Sequence, residues 1–157
     1  MSDPARHESA VVRVRRATRD DVDALVALEN ASFAHDRLSP RQWRRHVAAS
    51  SVDVWVATRE GVLAGAAVVF HRDGIDIARL YSIAVAPQAR GGGIGAALIA
   101  AAERGARRRG ARRLRLEVRT GNAGARHLYE RGGFRAFGHH RAYYADGEDA
   151  VRYEKVL

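Results

Sequence analysis

"YSIAVAPQARGGGIGAALIAAAERGARRRG", residues 81–110, is the stretch on which the fold turns. It passes from a strand-like run into glycine at 91, 92, 93 and 95. A helix follows, with Ile94, Ala97, Leu98, Ala101 and Ala102 on one face, ending near Gly110. Glycine is costly in regular structure, so a cluster at a helix mouth marks a tight bend or the close approach of something to bare amides. Amides at a helix N-terminus point outward, and the helix dipole favours negative charge there. The expected guest is an anion, phosphate above all.

On the N-terminal side, residues 1–9 read as a disordered polar tail and residues 10–157 as one domain. "VVRVRRAT" (11–18) alternates apolar and basic residues and predicts a first strand. Thr18 then caps a helix with Asp20 and Asp21 at its positive end and Val22, Leu25, Val26 and Phe33 on one face. Ser39, Pro40 and Gln42 supply a cap, a first-turn proline and a capping-box partner for a second helix. Residues 52–85 read as three strands separated by Glu60-Gly61 and Asp73-Gly74, an antiparallel meander. After the glycine helix come a strand over 112–118, a helix from Asn122 to Arg131 stopped by Gly132 and Gly133, and a closing hairpin. The hairpin pairs 135–144 with 150–156 around Asp146-Gly147, placing Tyr143 and Tyr144 on its first strand. The order βααβββαβαββ describes an α/β (α+β) domain: one mixed, mostly antiparallel sheet flanked by helices, with a strand–helix–strand crossover at the glycine loop.

Composition narrows the function. With 157 residues the chain fits one domain, and with no cysteine it offers neither disulfides nor thiolate chemistry; a cytoplasmic location is the simpler expectation. No stretch approaches the ~18 apolar residues of a membrane span. The net charge of +9 and the run "RRRGARRLR" (107–115) raise nucleic acid as a partner. Lys155 is the only lysine, however, so the charge is almost all arginine in an alanine- and glycine-rich chain, a bias of composition that needs no polyanion. The run also starts at a helix C-terminus, where arginine is favoured anyway. A solvated helix end is the preferred reading. No metal is assigned: none of the seven histidines makes a helical i, i+4 pair of the zinc-site kind, and His139 and His140 point to opposite faces of a strand.

Three phosphate-binding readings compete for the glycine loop. A Walker A loop requires lysine after its last glycine, and Gly95 is followed by Ala96. A dinucleotide fingerprint fits Gly91, Gly93 and Ala96, with Glu117 near the ribose position, but it belongs in an opening βαβ unit with more parallel strands to follow. The third is a family pattern. "YSIAVAPQARGGGIGAALI" resembles the acetyl-CoA-binding motif of the GNAT superfamily of N-acetyltransferases, with Arg90, Gly93 and Gly95 at the motif's positions. The resemblance spans roughly residues 11–157. Within the superfamily, "LRLEVRTGNAGARHLYERGGF" (114–134) and "YYADGEDA" are similar to the ribosomal-protein-alanine N-acetyltransferase branch, whose members acetylate protein N-terminal amines.

The resemblance implies acetyl-CoA as cosubstrate, its diphosphate on the amides of Arg90, Gly91, Gly92, Gly93, Ile94, Gly95 and Ala96. It implies a pantetheine arm beside Ile83, Ala84 and Val85, with Gly93 leaving room for the approach and Asn122 touching the cofactor. It also assigns Glu117 as the base, acting through water, and Tyr129 as the acid at the CoA sulfur, with direct transfer in a ternary complex. Residue patterns agree in part. Asn122 and Tyr129 are seven apart and share a helix face, and Glu117 alternates with Leu116 and Val118, so it points away from the apolar side. Each also has a structural alternative: an ion pair with Arg115 or Arg119 for Glu117, a helix cap for Asn122, a core position for Tyr129. The branch's proline-tryptophan pair after the first helix is replaced here by "FAHDRLSPRQW". Asp36 stands near that place as a receiver for a cationic amine, and Tyr143 and Tyr144 match substrate-side tyrosines. The expected acceptor is a primary amine, foremost a protein or peptide N-terminal α-amine, and the expected state a monomer or homodimer. A small-molecule amine acetyltransferase and a non-catalytic CoA-binding module remain open as alternatives.

Overall fold

The computed structural model describes residues 11–157, so the tail expected over residues 1–9 lies outside the described residues. Strand β1 (Val12–Arg16) leads through a 3-10 turn (Arg19–Asp21) into helix α1 (Val22–Ser32), and α2 is Pro40–Ala48. The meander follows as β2 (Val52–Arg59), β3 (Val62–Phe70) and β4 (Ile77–Val85), then α3 (Ile94–Arg108) and β5 (Arg113–Arg119). Helix α4 (Ala123–Arg131), β6 (Arg135–His140) and β7 (Ala150–Val156) close the chain. The seven strands form one sheet in the order β1-β2-β3-β4-β5-β7-β6, antiparallel except between β4 and β5.

The caps that marked the helix starts are made. Gln42 N–H donates to Ser39 Oγ at 3.1 Å, and Ser39 N–H donates back to Gln42 Oε1 at 2.8 Å. At the first helix the Thr18 cap begins a 3-10 turn, with Thr18 N–H donating to Asp21 at 2.7 Å before α1 starts at Val22. β3 is buried almost throughout, from Ala64 to Val69, as a central strand covered on both faces must be. One cover is α3: side chains added at Gly65 or Gly105 would run into Ile94 and Leu98 or into Trp55. Helices α1 and α2 pack against β2, β3 and β4 to supply the other.

Two expectations change. The first strand of the closing hairpin ends at His140, so Tyr143 and Tyr144 sit in a loop rather than on a strand. Ala142 takes a φ of 48°, its N–H donates to Asp149 Oδ1 at 2.8 Å, and Tyr144 and Gly147 close a turn between their backbones. That side-chain hydrogen bond competes with the ladder and frees the two rings from the sheet. The basic run, in turn, is not uniformly a solvated helix end. Arg109 donates to Ser50 O and to Asp53 Oδ1, both at 2.8 Å, while Arg107 and Arg108 are exposed.

Asp53 is buried on β2 and also meets Arg16 at 2.7 Å and His71 Nε2 at 3.0 Å. Burial alone would push its carboxyl up. Hydrogen bonds from His71 and Arg109 and the charges of Arg109 and Arg16 outweigh burial and hold it at about 2. A lowered folded-state value contributes stability that is complete above the unfolded value of 3.8 and is lost as pH falls toward 2. Asp53→Asn is therefore expected to cost about 2 kcal/mol near pH 6, and roughly half that near pH 3. Denaturant melts of both proteins at the two pH values check this; an equal cost at both would mean packing, not charge.

Candidate active site

The crossover from β4 to β5 builds the site. The two strands pair only over Ile77–Arg79 against Arg113–Arg115, then separate. Beyond Arg79, the edge of β4 turned away from β3 has no strand partner, and the gap opens onto two joined clefts. One, of ≈ 1020 Å³, runs along the glycine loop and α3. The other, of ≈ 480 Å³, lies between β4, β5, the α1–α2 loop and the β6–β7 loop. Phe33, Ile83, Asn122 and Ala125 border both, so the clefts meet at the N-terminus of α4.

The larger cleft has the character of an anion site. Ile83, Ala84, Val85, Arg90, Gly91, Gly93, Ile94, Gly95 and Ala96 all border it. Gly91 and Gly93 have φ of 83° and 80°, which a side chain rarely permits, and an added Cβ at either would stand in open space. Gly95 is small for another reason: a Cβ there would sit 3.0 Å from Leu128, so it brings α3 close to α4. Gly92 does not border the cleft and lies against Arg59 instead. A left-handed loop, open amides and the start of a 15-residue helix fit a diphosphate. Gly93→Val is expected to weaken acetyl-CoA binding at least tenfold, about 1.4 kcal/mol, in a folded protein, by straining the loop and filling its approach. Titration calorimetry measures it; unchanged affinity would remove the loop from the site.

The smaller cleft gathers the ionisable groups. Glu117 lies on β5 with a side chain only 12% exposed, paired with Arg79 Nε at 3.1 Å and Arg152 Nε at 3.6 Å. Its partners come from β4 and β7, not from Arg115 or Arg119 beside it in sequence: Arg115 pairs with Glu154, and Arg119 turns to the cleft mouth. Tyr129 borders the same cleft from α4 and is buried, its ring packed on Phe134 and Tyr153. Burial, with a smaller contribution from Tyr144, pushes its phenol well above the ordinary value. Asn122 caps α4, its Oδ1 accepting from Ala125 N–H at 3.2 Å, and this fixes it at the junction of the clefts.

At the mouth, Arg119 joins two loops. It contacts Asp36 Oδ2 at 3.2 Å and Asp146 Oδ2 at 2.8 Å, and its guanidinium lies 4.0 Å from the Tyr144 ring centroid. Asp36 is thus already paired with a cation. Tyr143 accepts a hydrogen bond from Arg79 and stands edge-on to Tyr144 at 4.9 Å. Burial and Tyr143 push the Tyr144 phenol up to about 12. Glu29, on α1, is buried and accepts from Leu38 N–H at 2.9 Å, pinning the α1–α2 loop beside the cleft; burial raises its carboxyl.

Sequence reasoning missed Arg79, Arg152, Arg119 and Glu29. Arg79 left one signal, the one charged residue of its strand, set between Ala78 and Leu80. The others depend on pairings between distant segments. Among the described residues no cluster of histidine and carboxylate is arranged to hold a metal, and no helix is long and apolar enough to cross a membrane.

Comparison with known proteins agrees with this geometry. Residues 22–134 match the model of the acetyltransferase (GNAT) family. A Bacillus subtilis (strain 168) protein assigned provisionally as a ribosomal protein bS18-alanine N-acetyltransferase is 31% identical over 139 residues, covering 88% of this chain and 91% of the relative. The crystal structure of the ribosomal-protein-S18-alanine N-acetyltransferase from Escherichia coli superposes with a TM-score of 0.83 at 29% identity, covering 94% of each chain. Nourseothricin acetyltransferase superposes with a TM-score of 0.76 at 30% identity, covering 92% of this chain and 98% of that one.

Proposed function

The chain belongs to the acetyltransferase (GNAT) family, and on that premise we propose that it acetylates a primary amine, foremost a protein or peptide N-terminal α-amine. One observation carries the reading: Glu117 and Tyr129 border a single cleft, which opens into the glycine-loop cleft beside Asn122. Bound acetyl-CoA supplies the acetyl thioester. Amides of the glycine loop hold its diphosphate, and the free edge of β4 at Ile83 and Val85 receives the pantetheine amides as an added strand would.

The acceptor must lose a proton before its nitrogen attacks, and Glu117, through a water, takes it. Arg79 and Arg152 hold that carboxylate toward the cleft. Tyr129 gives the proton of its hydroxyl to the departing sulfur, in a ternary complex with direct transfer. An α-amine, with a reference pKa of about 7.7–8.0 against about 10.4 for lysine, asks less of the base. Arginine and tyrosine around the acceptor are available to the peptide backbone through Arg79, Tyr143 and Tyr144.

A second reading, a small-molecule amine as acceptor, is favoured by one feature. Arg119 ties Asp36 to Asp146 across the mouth and narrows the path a peptide would follow. Adding acetyl-CoA to peptides beginning with alanine or serine and to small amines, and following free thiol, separates the readings. Turnover on peptides alone supports the first, turnover on small amines alone replaces it with the second, and CoA binding with no thiol release on any of them would leave a CoA-binding module.

A further inference from the structure

A helix N-terminus with open amides is already a positive place, and a second cation there is unfavourable unless an anion accompanies it. Arg59 is such a cation. β2 and β4 both run antiparallel to β3, so their C-terminal ends lie at the same end of the sheet, where the glycine loop leaves β4. Asp53 and Trp55 face Gly105 of α3, and two-residue alternation turns Arg59 toward the same helix. Its guanidinium lies against Gly92. Cζ is 3.3 Å from the place a Cβ would take, and Nη2 would collide with it. Arg59 Nε is buried with no hydrogen-bond partner, and among the described residues the ion pairs do not include Arg59. Gly92 is outside the cleft lining, so this charge sits behind the loop and not in its mouth.

We infer that Arg59 is a positioning residue of the donor site, backing the glycine loop through Gly92 and adding positive charge behind the amides that receive the donor's diphosphate. The inference rests on the donor-cleft reading above. It bears on Gly92 too, where an added Cβ would displace the tip of the guanidinium, whereas Gly91 and Gly93 answer to positive φ. It also explains why a cation without a carboxylate partner is stable there, since the diphosphate is its counter-charge when the donor is bound.

The test compares two donors, acetyl-CoA and S-acetyl-pantetheine, which carries the same thioester without the diphosphate. Arg59→Met is expected to raise the Kd for CoA and the KM for acetyl-CoA about tenfold, with kcat and the S-acetyl-pantetheine rate unchanged. Arg59→Lys should recover much of the loss, and the loss should shrink as salt rises. Gly92→Ala should weaken CoA binding in the parent protein but much less beside Arg59→Met, because the collision is then gone. Equal losses with both donors, or fully additive effects of the two substitutions, would make Arg59 structural and overturn the inference. Unchanged CoA affinity in Arg59→Met would overturn it too while leaving the donor cleft intact. Failure of the parent protein to bind CoA is a different result and would overturn the donor-cleft reading itself.

Discussion

Tyr129→Phe is expected to lower turnover by roughly 10²–10⁴ while leaving the affinity for acetyl-CoA nearly unchanged. The ring is buried on Phe134 and Tyr153, and phenylalanine keeps those contacts while removing one hydroxyl from a residue that borders the smaller cleft. Burial raises the phenol above its ordinary value, so the hydroxyl keeps its proton across the neutral range. Two consequences follow for the measurement. The pH profile should show no limb belonging to Tyr129 below about pH 10, and the defect of the phenylalanine variant should be the same size across the profile. The desolvation that raises the pKa also makes a standing phenolate costly, so under the proposed mechanism the hydroxyl would act while the sulfur departs and would be reprotonated before the next turnover. Steady-state rates from pH 6 to 9 decide it: near-parental turnover in the variant would place Tyr129 in the core and nowhere in the chemistry.

Element order and the glycine loop were legible because they are written in local sequence. The capping box at Ser39, the glycine cluster at 91–95 and the alternation of β5 each act over a few residues, and each reappears as a cap, a left-handed loop and a strand with Glu117 turned from the core. The closing hairpin was less legible. The sequence run 135–144 has strand character, but a hydrogen bond from Ala142 to Asp149, seven residues on, ends the ladder at His140. The electrostatics of the site were hardly legible at all. Glu117 pairs with Arg79, 38 positions earlier, and Asp53 with Arg109, 56 later, and in a chain with 27 basic residues no local rule says which arginine meets which carboxylate. Pairing of that kind is decided by sheet order, which places β5 between β4 and β7.

The same sheet order gives Glu117→Gln a distinctive pH dependence. Glutamine fills nearly the same space but cannot take a proton, and it leaves Arg79 and Arg152 facing a neutral group. At pH 6 the acceptor is almost entirely ammonium, so loss of the base is expected to cost roughly 10²–10⁴ in turnover. As pH rises through the acceptor's own pKa the free amine appears without help, and part of the loss returns. The Tyr129→Phe defect, by contrast, stays constant, so the ratio of the two variants' rates isolates the base. The pH at which glutamine recovers reports the acceptor: near 8 for an α-amine, and above about 10 for a lysine-like amine. A loss of equal size from pH 6 to 9 on an α-amine peptide would mean that Glu117 serves only to hold Arg79 and Arg152 in place, and the base would have to be sought elsewhere in the cleft.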